Sequence, residues 1–335
     1  MTSDAALLTE IEALETKLGE ARASITKRFI GQPQVVDLAL SALLCGGHGL
    51  LIGLPGLGKT RLVETMATVM GLKQNRIQFT PDLMPADILG SEVLETGSDG
   101  SRAFKFIKGP VFCELLMADE INRASPRTQS ALLQAMQENI VSVAGADRTI
   151  SKPFHVLATQ NPIEQEGTYP LPEAQLDRFL VQIDVPYPDR DTERDILHAT
   201  TGESEEEAHA VFNPQELDDA QKLLRKMPVG EAVMEQIITL VRAFRPNTPE
   251  AHSEVEGTVA WGPGPRAAQS LMLTVRARAM LQGRLAPNFD DIAAMAEPVL
   301  VHRMALSFAA RARGKTLKEL IASVTRDITR TEAAA

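Results

Sequence analysis

The chain has 335 residues, of which 44% are hydrophobic and 23% are charged, and its formal net charge at pH 7 is −10. This is the composition of a globular protein with a sizeable core, and the length favours about two domains. The acidic balance argues against a protein that coats nucleic acid, because neutralising phosphates requires a surplus of lysine and arginine on one surface. No apolar run approaches the roughly 18 residues of a membrane span, and the first residues lack the features of a signal peptide. We therefore expect a cytoplasmic protein with no membrane insertion.

A helical pattern occupies residues 1–25. Its apolar residues alternate spacings of four and three, which puts them in one stripe along a helix. A helix packed on its own domain and a coiled-coil arm are both compatible with so short a stripe. The stripe consists of Leu7, Ile11, Leu14, Leu18, Ala21 and Ile25.

Short apolar runs of strand character alternate with helical patterns from residue 26 to residue 187. This alternation predicts an α/β fold with a parallel sheet covered by helices. Ligands of such sheets bind at the carboxyl ends of the strands, so the residues that follow each run are candidate site residues. The predicted strands are Gly49–Ile52, Arg76–Thr80, Leu115–Ala118, Phe154–Thr159 and Leu180–Val185.

The segment Gly53–Thr60 follows the first predicted strand and has the pattern G-x-x-x-x-G-K-[ST]. Glycines let the backbone curl until successive N–H groups point at one anion. Lys59 then reaches the β- and γ-phosphates of a nucleotide, and the Thr60 hydroxyl binds Mg²⁺. The next residues have helical periodicity, so strand, loop and helix occur in the required order. We assign to the nucleotide site Gly56, Leu57, Gly58, Lys59, Thr60 and Arg61.

Two adjacent carboxylates, Asp119 and Glu120, end the predicted strand Leu115–Ala118. Two acids at a strand tip suit a divided task. Asp119 would hold Mg²⁺ through its water shell, and Glu120 would polarise the water that attacks the γ-phosphate. The pattern is weak by itself and gains its meaning from the complete phosphate loop that precedes it.

Asn161 follows the predicted strand Phe154–Thr159. A neutral amide at this strand tip could hydrogen-bond both the attacking water and the γ-phosphate without adding charge. The alternative is an asparagine that begins an ordinary Asn-Pro turn.

A hairpin is predicted near residues 139–151, where Asn139–Val143 and Arg148–Ile150 flank a Gly-containing turn. The segment Pro186–Arg190 then marks a boundary, after which the pattern is almost wholly helical over residues 188–330. Within this second region, the acidic patch Glu203–Glu207 is typical of a solvated loop.

The positions of the cysteines and histidines limit the kinds of metal site that the chain can form. The two cysteines, Cys45 and Cys113, lie in apolar surroundings without a C-x-x-C pattern, and the six histidines are scattered. This predicts buried free thiols and no metal site made of protein side chains alone.

Four segments together resemble the MoxR family of AAA+ ATPases. The resemblance implies a Mg-dependent ATP hydrolase with an αβα phosphate-loop core over residues 26–187 and an all-helical lid domain over residues 188–330. It also implies a ring-forming, usually hexameric homo-oligomer that acts as a chaperone on a client protein, often beside a partner with a von Willebrand factor A domain. The segments are Gly47–Thr60, Gln78–Gly90, Asp119–Ala124 and Ala158–Phe179.

The same resemblance assigns further residues. Asn161 corresponds to the family's sensor 1 position, and Arg178 to the arginine finger that reaches the nucleotide of the neighbouring subunit. Arg266 corresponds to sensor 2, the lid arginine that contacts the γ-phosphate of its own subunit. Planar guanidinium groups suit phosphate oxygens, although a surface ion pair is the alternative for each arginine. Ile30 would pack on the adenine and the Gly31 backbone would approach it, unless the two residues only begin a helix.

Two other functions remain open at this point. A ring-forming nucleic-acid motor of the AAA+ helicase type would use the inserted hairpin to grip a strand, but the hairpin has little basic density. An adaptor that binds nucleotide only to stabilise a scaffold would require Glu120 or Arg178 to be idle.

Overall fold

The computed structural model describes residues 2–96, 101–163, 167–202 and 207–333. The helices are α1 (Thr2–Arg28), α2 (Pro33–Leu44), α3 (Lys59–Val69), α4 (Pro85–Leu89), α5 (Pro126–Glu138), α6 (Glu173–Leu176), α7 (Arg190–Thr201), α8 (Pro214–Lys226), α9 (Glu231–Ala243), α10 (Pro265–Leu281), α11 (Phe289–Leu300), α12 (Phe308–Ala312) and α13 (Leu317–Ala333). The strands are β1 (Gly49–Ile52), β2 (Gln74–Gln78), β3 (Gly90–Thr96), β4 (Arg102–Lys108), β5 (Leu115–Asp119), β6 (Ile140–Val143), β7 (Ala146–Thr149), β8 (His155–Gln160), β9 (Val181–Asp184), β10 (Val259–Trp261) and β11 (Ala305–Leu306).

The central sheet has five parallel strands in the order β2-β5-β8-β1-β9. This confirms the predicted α/β class. Because all five strands run the same way, their last residues share one edge of the sheet, called here the carboxyl edge. The opposite edge, where the strands begin, is called the amino edge.

Both faces of the sheet are buried, which gives the core its three layers. Leu50 and Leu51 are adjacent and fully buried, and they belong to two different hydrophobic clusters. Successive strand residues point to opposite faces, so the clusters lie on the two sides of the sheet. A strand covered on both faces is apolar throughout, and this explains why β1 is a continuous apolar run in the sequence.

The observed strands lie close to the predicted runs. The largest shift is at the second strand, which occupies Gln74–Gln78 instead of Arg76–Thr80. This strand lies at the end of the sheet order, and four of its five residues are not buried. The first two residues of this edge strand are polar, so a prediction based on apolar runs does not include them.

The predicted insertion near residue 139 is the antiparallel hairpin β6–β7, paired from Ile140↔Thr149 to Val143↔Ala146. Its turn residues Ala144 and Gly145 both have positive φ, at 52° and 77°, as a two-residue type I′ turn requires.

A second antiparallel hairpin, β3–β4, was not predicted. Most of its residues are exposed, including Leu94 and Phe104 opposite each other. With charged and apolar residues mixed on each face, the strands lack the alternation that marks a half-buried pair.

Helix α1 packs along the domain and is not a free arm. Ile11, Leu18, Ala21 and Ile25 of the predicted stripe are buried and Leu14 is partly buried, while the Leu7 side chain lies outside the described residues. The helix contacts α2, α3 and α10.

The described part of the chain after β9 is mostly helical and contains one short antiparallel pair, β10–β11. Of the predicted acidic loop at Glu203–Glu207, residues 203–206 lie outside the described residues, as do residues 164–166 of the long segment before Phe179. None of the helices in the described part of the chain combines the length and the apolar character needed to span a bilayer.

Candidate active site

The phosphate loop joins the end of β1 to the start of α3. Gly56 and Gly58 have φ of 83° and 74°, and Gly58 is the N-cap of the helix. Only glycine adopts this left-handed backbone without strain. A Cβ added to Gly56 would meet nothing within 4 Å, so its glycine is required by conformation and not by space. The loop thus leads into the N-terminus of α3, and a helix N-terminus favours the binding of an anion.

The Lys59 side chain folds back over this loop. Its Nζ donates hydrogen bonds to the carbonyl oxygens of Gly53 and Leu54, each at 2.7 Å. Partial burial lowers the pKa of Lys59, and the charges of Asp119 and Glu120 oppose that shift. The ammonium is therefore held beside the loop by two backbone carbonyl oxygens. A bound phosphate could replace these oxygens as its hydrogen-bond acceptors.

A cavity of about 650 Å³ opens between the loop and the carboxyl edge of the sheet. Its size suits a nucleotide, since small-molecule pockets span about 300 to 1,000 Å³. We call it the carboxyl-edge cavity. It is lined by Arg28, Pro55, Gly56, Leu57, Gly58, Lys59, Thr60, Arg61, Glu64, Arg76, Gln78, Asp119, Glu120, Thr159 and Asn161.

The two carboxylates at the end of β5 are fastened to the next strand by Thr159. The Thr159 hydroxyl donates to Asp119 Oδ1 at 2.6 Å and accepts from the Glu120 backbone N–H at 2.9 Å. Glu120 has φ of 56°, a left-handed conformation that is uncommon outside glycine and occurs often at functional sites. Because of this turn, the Asp119 and Glu120 side chains have different partners. This suits the two different roles expected of them, metal binding for Asp119 and polarisation of water for Glu120.

Besides Thr159, three further polar partners of the carboxylates were not predicted. Arg76 lies with Nη2 2.6 Å from Asp119 Oδ2. Glu120 Oε2 accepts from Gln78 Nε2 at 2.6 Å and from Arg123 Nη1 at 3.0 Å. The signal that could have revealed Arg76 and Gln78 is the register of β2, whose Gln78 pairs with Asp119 across the sheet.

Asn161 joins the same cavity and is 6% exposed. Its Oδ1 accepts from the Ile163 backbone N–H at 3.2 Å, so the residue begins the Asn-Pro turn that the sequence left open as an alternative. The two roles coexist, because the turn uses only the oxygen and leaves the amide N–H groups as donors.

The oxygen ligands available for a metal ion fit Mg²⁺ held by a nucleotide. Among the described residues, no group of three or more histidine, cysteine, aspartate or glutamate side chains could hold a metal ion. Asp119 and Thr60 nevertheless line one cavity, and Mg²⁺ is commonly bound by one or two protein oxygens together with phosphates and water.

Arg178 and Arg266 lie elsewhere, in a second cavity of about 270 Å³. Gly46 and His48, which directly precede β1, line this cavity, whereas the phosphate loop directly follows β1. The second cavity is therefore at the opposite edge of the sheet, and we call it the amino-edge cavity. Arg266 consequently does not contact the phosphate loop of its own chain, which corrects the expectation that it reaches the γ-phosphate there.

Asp177 holds the segment before Arg178 against the lid. Its Oδ1 lies 2.8 Å from Arg303 Nε and its Oδ2 lies 3.2 Å from Arg266 Nη1. Arg303 is 2% exposed and also donates to the carbonyl oxygens of Phe179, Leu180 and Val299. Burial lowers the pKa of Arg303 to about 10, and Asp177 opposes that shift, so Arg303 is charged at pH 7.

The segment at Ile30 and Gly31 lies beside the phosphate loop without lining its cavity. A Cβ added to Gly58 would lie 3.4 Å from the Phe29 ring, and one added to Gly31 would lie 2.0 Å from Thr192 Cγ2. Gly31, with φ of 78°, is thus required by close packing against α7.

Comparisons with known proteins agree with this geometry. Residues 48–181 match the ATPase family associated with various cellular activities (AAA), and residues 251–324 match the AAA lid domain. The chain is 40% identical over 306 residues to Chaperone MoxR1 of Mycobacterium tuberculosis, covering 91% of this chain and 79% of that protein. It is 30% identical over 322 residues to Protein MoxR of Paracoccus denitrificans, covering 92% and 94%.

A crystal structure of a protein from Cytophaga hutchinsonii is similar over 97% of both chains, with a TM-score of 0.87 and 34% identity. The similarity to these proteins, in sequence and in fold, thus extends over nearly the whole chain. The chain belongs to the MoxR family of AAA+ ATPases.

Proposed function

We propose that this chain hydrolyses ATP with Mg²⁺ in a homo-oligomeric ring, a hexamer, and uses the hydrolysis to remodel, mature or assemble a client protein. The observation that carries the proposal is the division of the site between opposite edges of one sheet. Lys59, Asp119 and Glu120 lie at the carboxyl edge, and Arg178 and Arg266 lie at the amino edge. A head-to-tail ring brings one edge of each subunit against the other edge of its neighbour.

At the carboxyl edge, the residues divide the work of phosphoryl transfer to water. Bound MgATP supplies the γ-phosphoryl group that is transferred. Lys59 would exchange the carbonyls of Gly53 and Leu54 for phosphate oxygens, and Thr60 and Asp119 would hold the metal ion. Glu120 would orient and polarise the attacking water, and the Asn161 amide would donate a hydrogen bond beside it.

At the amino edge, Arg178 and Arg266 would neutralise the charge that develops on the nucleotide of the neighbouring subunit. The amino-edge cavity contains four arginines and a single carboxylate, Asp177. Asp177 offsets only one of these charges, so the lining carries a net charge of +3 that would attract a further anion. Arginine groups provided by a neighbour tie hydrolysis to assembly.

The action on a client is supported by the relative named Chaperone MoxR1. We propose a partner with a von Willebrand factor A domain on the same family basis. Rings of the Glu120→Gln variant loaded with ATP should retain such a partner from the same organism, and rings without nucleotide should not. Equal retention in both states would contradict the proposed coupling.

A nucleic-acid motor has no comparable support. Arg148 is the basic residue of the β6–β7 hairpin, over the described residues 140–149. Its Nη2 lies 2.9 Å from Glu92 Oε1, and its guanidinium lies 3.9 Å from the centre of the Phe106 ring. The Arg148 guanidinium is therefore already bound by groups of its own chain and is not directed toward a nucleic acid.

The decisive experiment is phosphate release from ATP with and without Mg²⁺ by the parent chain, by Glu120→Gln and by Glu235→Gln, a control at an exposed glutamate of α9. We expect Mg-dependent hydrolysis that falls by about two orders of magnitude in Glu120→Gln, because its contact with the attacking water matters in the transition state. Binding of a fluorescent ATP analogue should be unchanged in both variants. Parent-like hydrolysis by Glu120→Gln would refute the assignment.

A further inference from the structure

A further arginine, Arg225, lines the amino-edge cavity and has no carboxylate partner among the described residues. Arg225 comes from the last turn of α8, whereas Arg178 comes from the core and Arg266 from α10. Its one hydrogen bond among the described residues runs from Nη2 to the Cys45 carbonyl oxygen at 3.5 Å. That distance is at the outer limit of a hydrogen bond, so the guanidinium keeps most of its donors for another group.

Helix α8 holds Arg225 firmly in this place. One turn before it, Gln221 Nε2 donates to the Leu43 carbonyl oxygen at 2.8 Å and to His155 Nε2 at 3.1 Å. Leu223 and Leu224 on the same helix are buried. The guanidinium of Arg225 is exposed, but the helix that carries it is anchored to the core by both hydrogen bonds and packing.

A nearby arginine, Arg276, adds positive charge to the surroundings of Arg225. Arg276 on α10 has its Nε buried without a hydrogen-bond partner among the described residues. Burial lowers the pKa of Arg276, and the nearby charge of Arg225 lowers it further. Two neighbouring cations for which the described residues provide no carboxylate partner repel each other, and an anion that enters the cavity would relieve this repulsion.

We propose that Arg225 contacts the phosphates of the nucleotide bound by the neighbouring subunit, as a third residue beside Arg178 and Arg266. This inference rests on the proposed function, because it takes the neighbour's triphosphate as the anion. A multiply charged phosphate chain can accept hydrogen bonds from several guanidinium groups at once. The core, α8 and α10 of one subunit would then all contact the nucleotide of the next subunit. Closure of the lid against the core in one subunit would therefore affect hydrolysis in its neighbour.

The test compares Arg225→Gln, Arg225→Lys and Lys226→Gln in full-length rings. Lys226 is the next residue, is exposed and does not line the cavity, so its variant removes the same charge beside the site. We expect Arg225→Gln to lower ATP turnover about tenfold or more, Arg225→Lys to recover part of it, and Lys226→Gln to resemble the parent. Ring size and thermal midpoint should be the same in all three.

Mixed rings separate a role toward the neighbour from a role within the chain. In a ring that contains Arg225→Gln and Glu120→Gln chains, some sites combine an intact Glu120 with an intact Arg225 from the next subunit. We expect the mixture to exceed the summed activity of the two separate preparations. No gain on mixing, or equal turnover in Arg225→Gln and Lys226→Gln, would overturn the inference.

The same measurements keep the two proposals apart. Turnover that survives Glu120→Gln or Arg178→Ala would contradict the proposed function itself. Loss of turnover in those two variants with full turnover in Arg225→Gln would contradict only the role of Arg225.

Discussion

Arg303 Nε lies 2.8 Å from Asp177 Oδ1, and this contact joins the lid to the residue that precedes Arg178. The two residues are 126 positions apart in the chain. The arginine is almost fully buried and also donates to four backbone carbonyl oxygens. One lid side chain therefore fixes the backbone from which the proposed finger projects.

Replacing Arg303 by methionine should destabilise the fold strongly. The change removes the hydrogen bonds that Arg303 donates to the Asp177 carboxylate and to the buried carbonyls of Leu180 and Val299, while Asp177 keeps its contact with Arg266. Leaving a buried acceptor without its donor costs about 1 to 3 kcal/mol. Urea unfolding should show this loss in Arg303→Met and less than about 0.5 kcal/mol in Arg194→Met, because Arg194 pairs with Asp191 on the surface. Similar midpoints for both variants would contradict the prediction.

Arg266 should act on the nucleotide of the neighbouring subunit. Rings that mix Arg266→Ala with Glu120→Gln chains contain sites with an intact Glu120 and a neighbour's intact Arg266. We expect ATP turnover to rise above the sum of the separate preparations, as we also expect for Arg178→Ala. If Arg266 instead served its own subunit, no site in the mixture would be complete and turnover would stay at that sum.

Replacing Arg76 by glutamine should reduce the Mg²⁺ concentration needed for half-maximal turnover. Arg76 Nη2 lies 2.6 Å from the Asp119 oxygen Oδ2, and its side chain is 47% exposed. The guanidinium competes with the metal ion for that carboxylate. Since an exposed ion pair contributes at most about 1 kcal/mol, the shift should be about twofold to fivefold. Arg194→Gln provides the surface control. A higher Mg²⁺ requirement would mean that Arg76 assists metal or nucleotide binding.

The fold should lose stability in acid through two buried histidines at the amino edge. Burial lowers the pKa of His48 and of His155 to about 4. Each ring donates one hydrogen bond and accepts another, so both are neutral. His48 donates to the Met136 carbonyl oxygen and accepts from the Val156 N–H. His155 donates to the Gly47 carbonyl oxygen and accepts from Gln221.

The direction of the change in stability with pH follows from these pKa values. Above about pH 6.5, the ordinary histidine pKa, both rings are neutral in the folded and unfolded chains and full stability is present. Between there and about pH 4, only the unfolded chain takes up the protons, so the free energy of unfolding falls as the pH falls. The slope is about 1.4 kcal/mol per pH unit for each histidine.

Urea unfolding between pH 7.5 and pH 4.5 measures this dependence. His155→Gln should have a shallower slope than the parent, since glutamine does not titrate. His198→Gln, at an exposed histidine of α7, is the matched control and should keep the parent slope. Equal slopes in the two variants would rule out His155 as a source of the acid sensitivity.

The parts of the site predicted from the sequence are those that depend on neighbouring residues. The phosphate loop needs glycines at fixed offsets, a lysine and a hydroxyl, and all of them occur in one segment that turns from β1 into α3. Asp119, Glu120 and Asn161 could be placed because each follows an apolar strand, and parallel strands bring their carboxyl ends together. Arg76 and Gln78 were missed because β2 is a polar edge strand whose register only the sheet reveals.

Sequence patterns alone thus determined the parallel α/β core, the helical region after it and one half of the proposed nucleotide site, because local spacing controls strands, helices and loops. Only the tertiary structure decided that Arg266 lies with Arg178 at the amino edge, that Arg225 joins them, and that Arg303 holds Asp177. These contacts connect residues far apart in the chain. Their geometry follows from how the lid packs on the sheet, and no local spacing of residues encodes that packing.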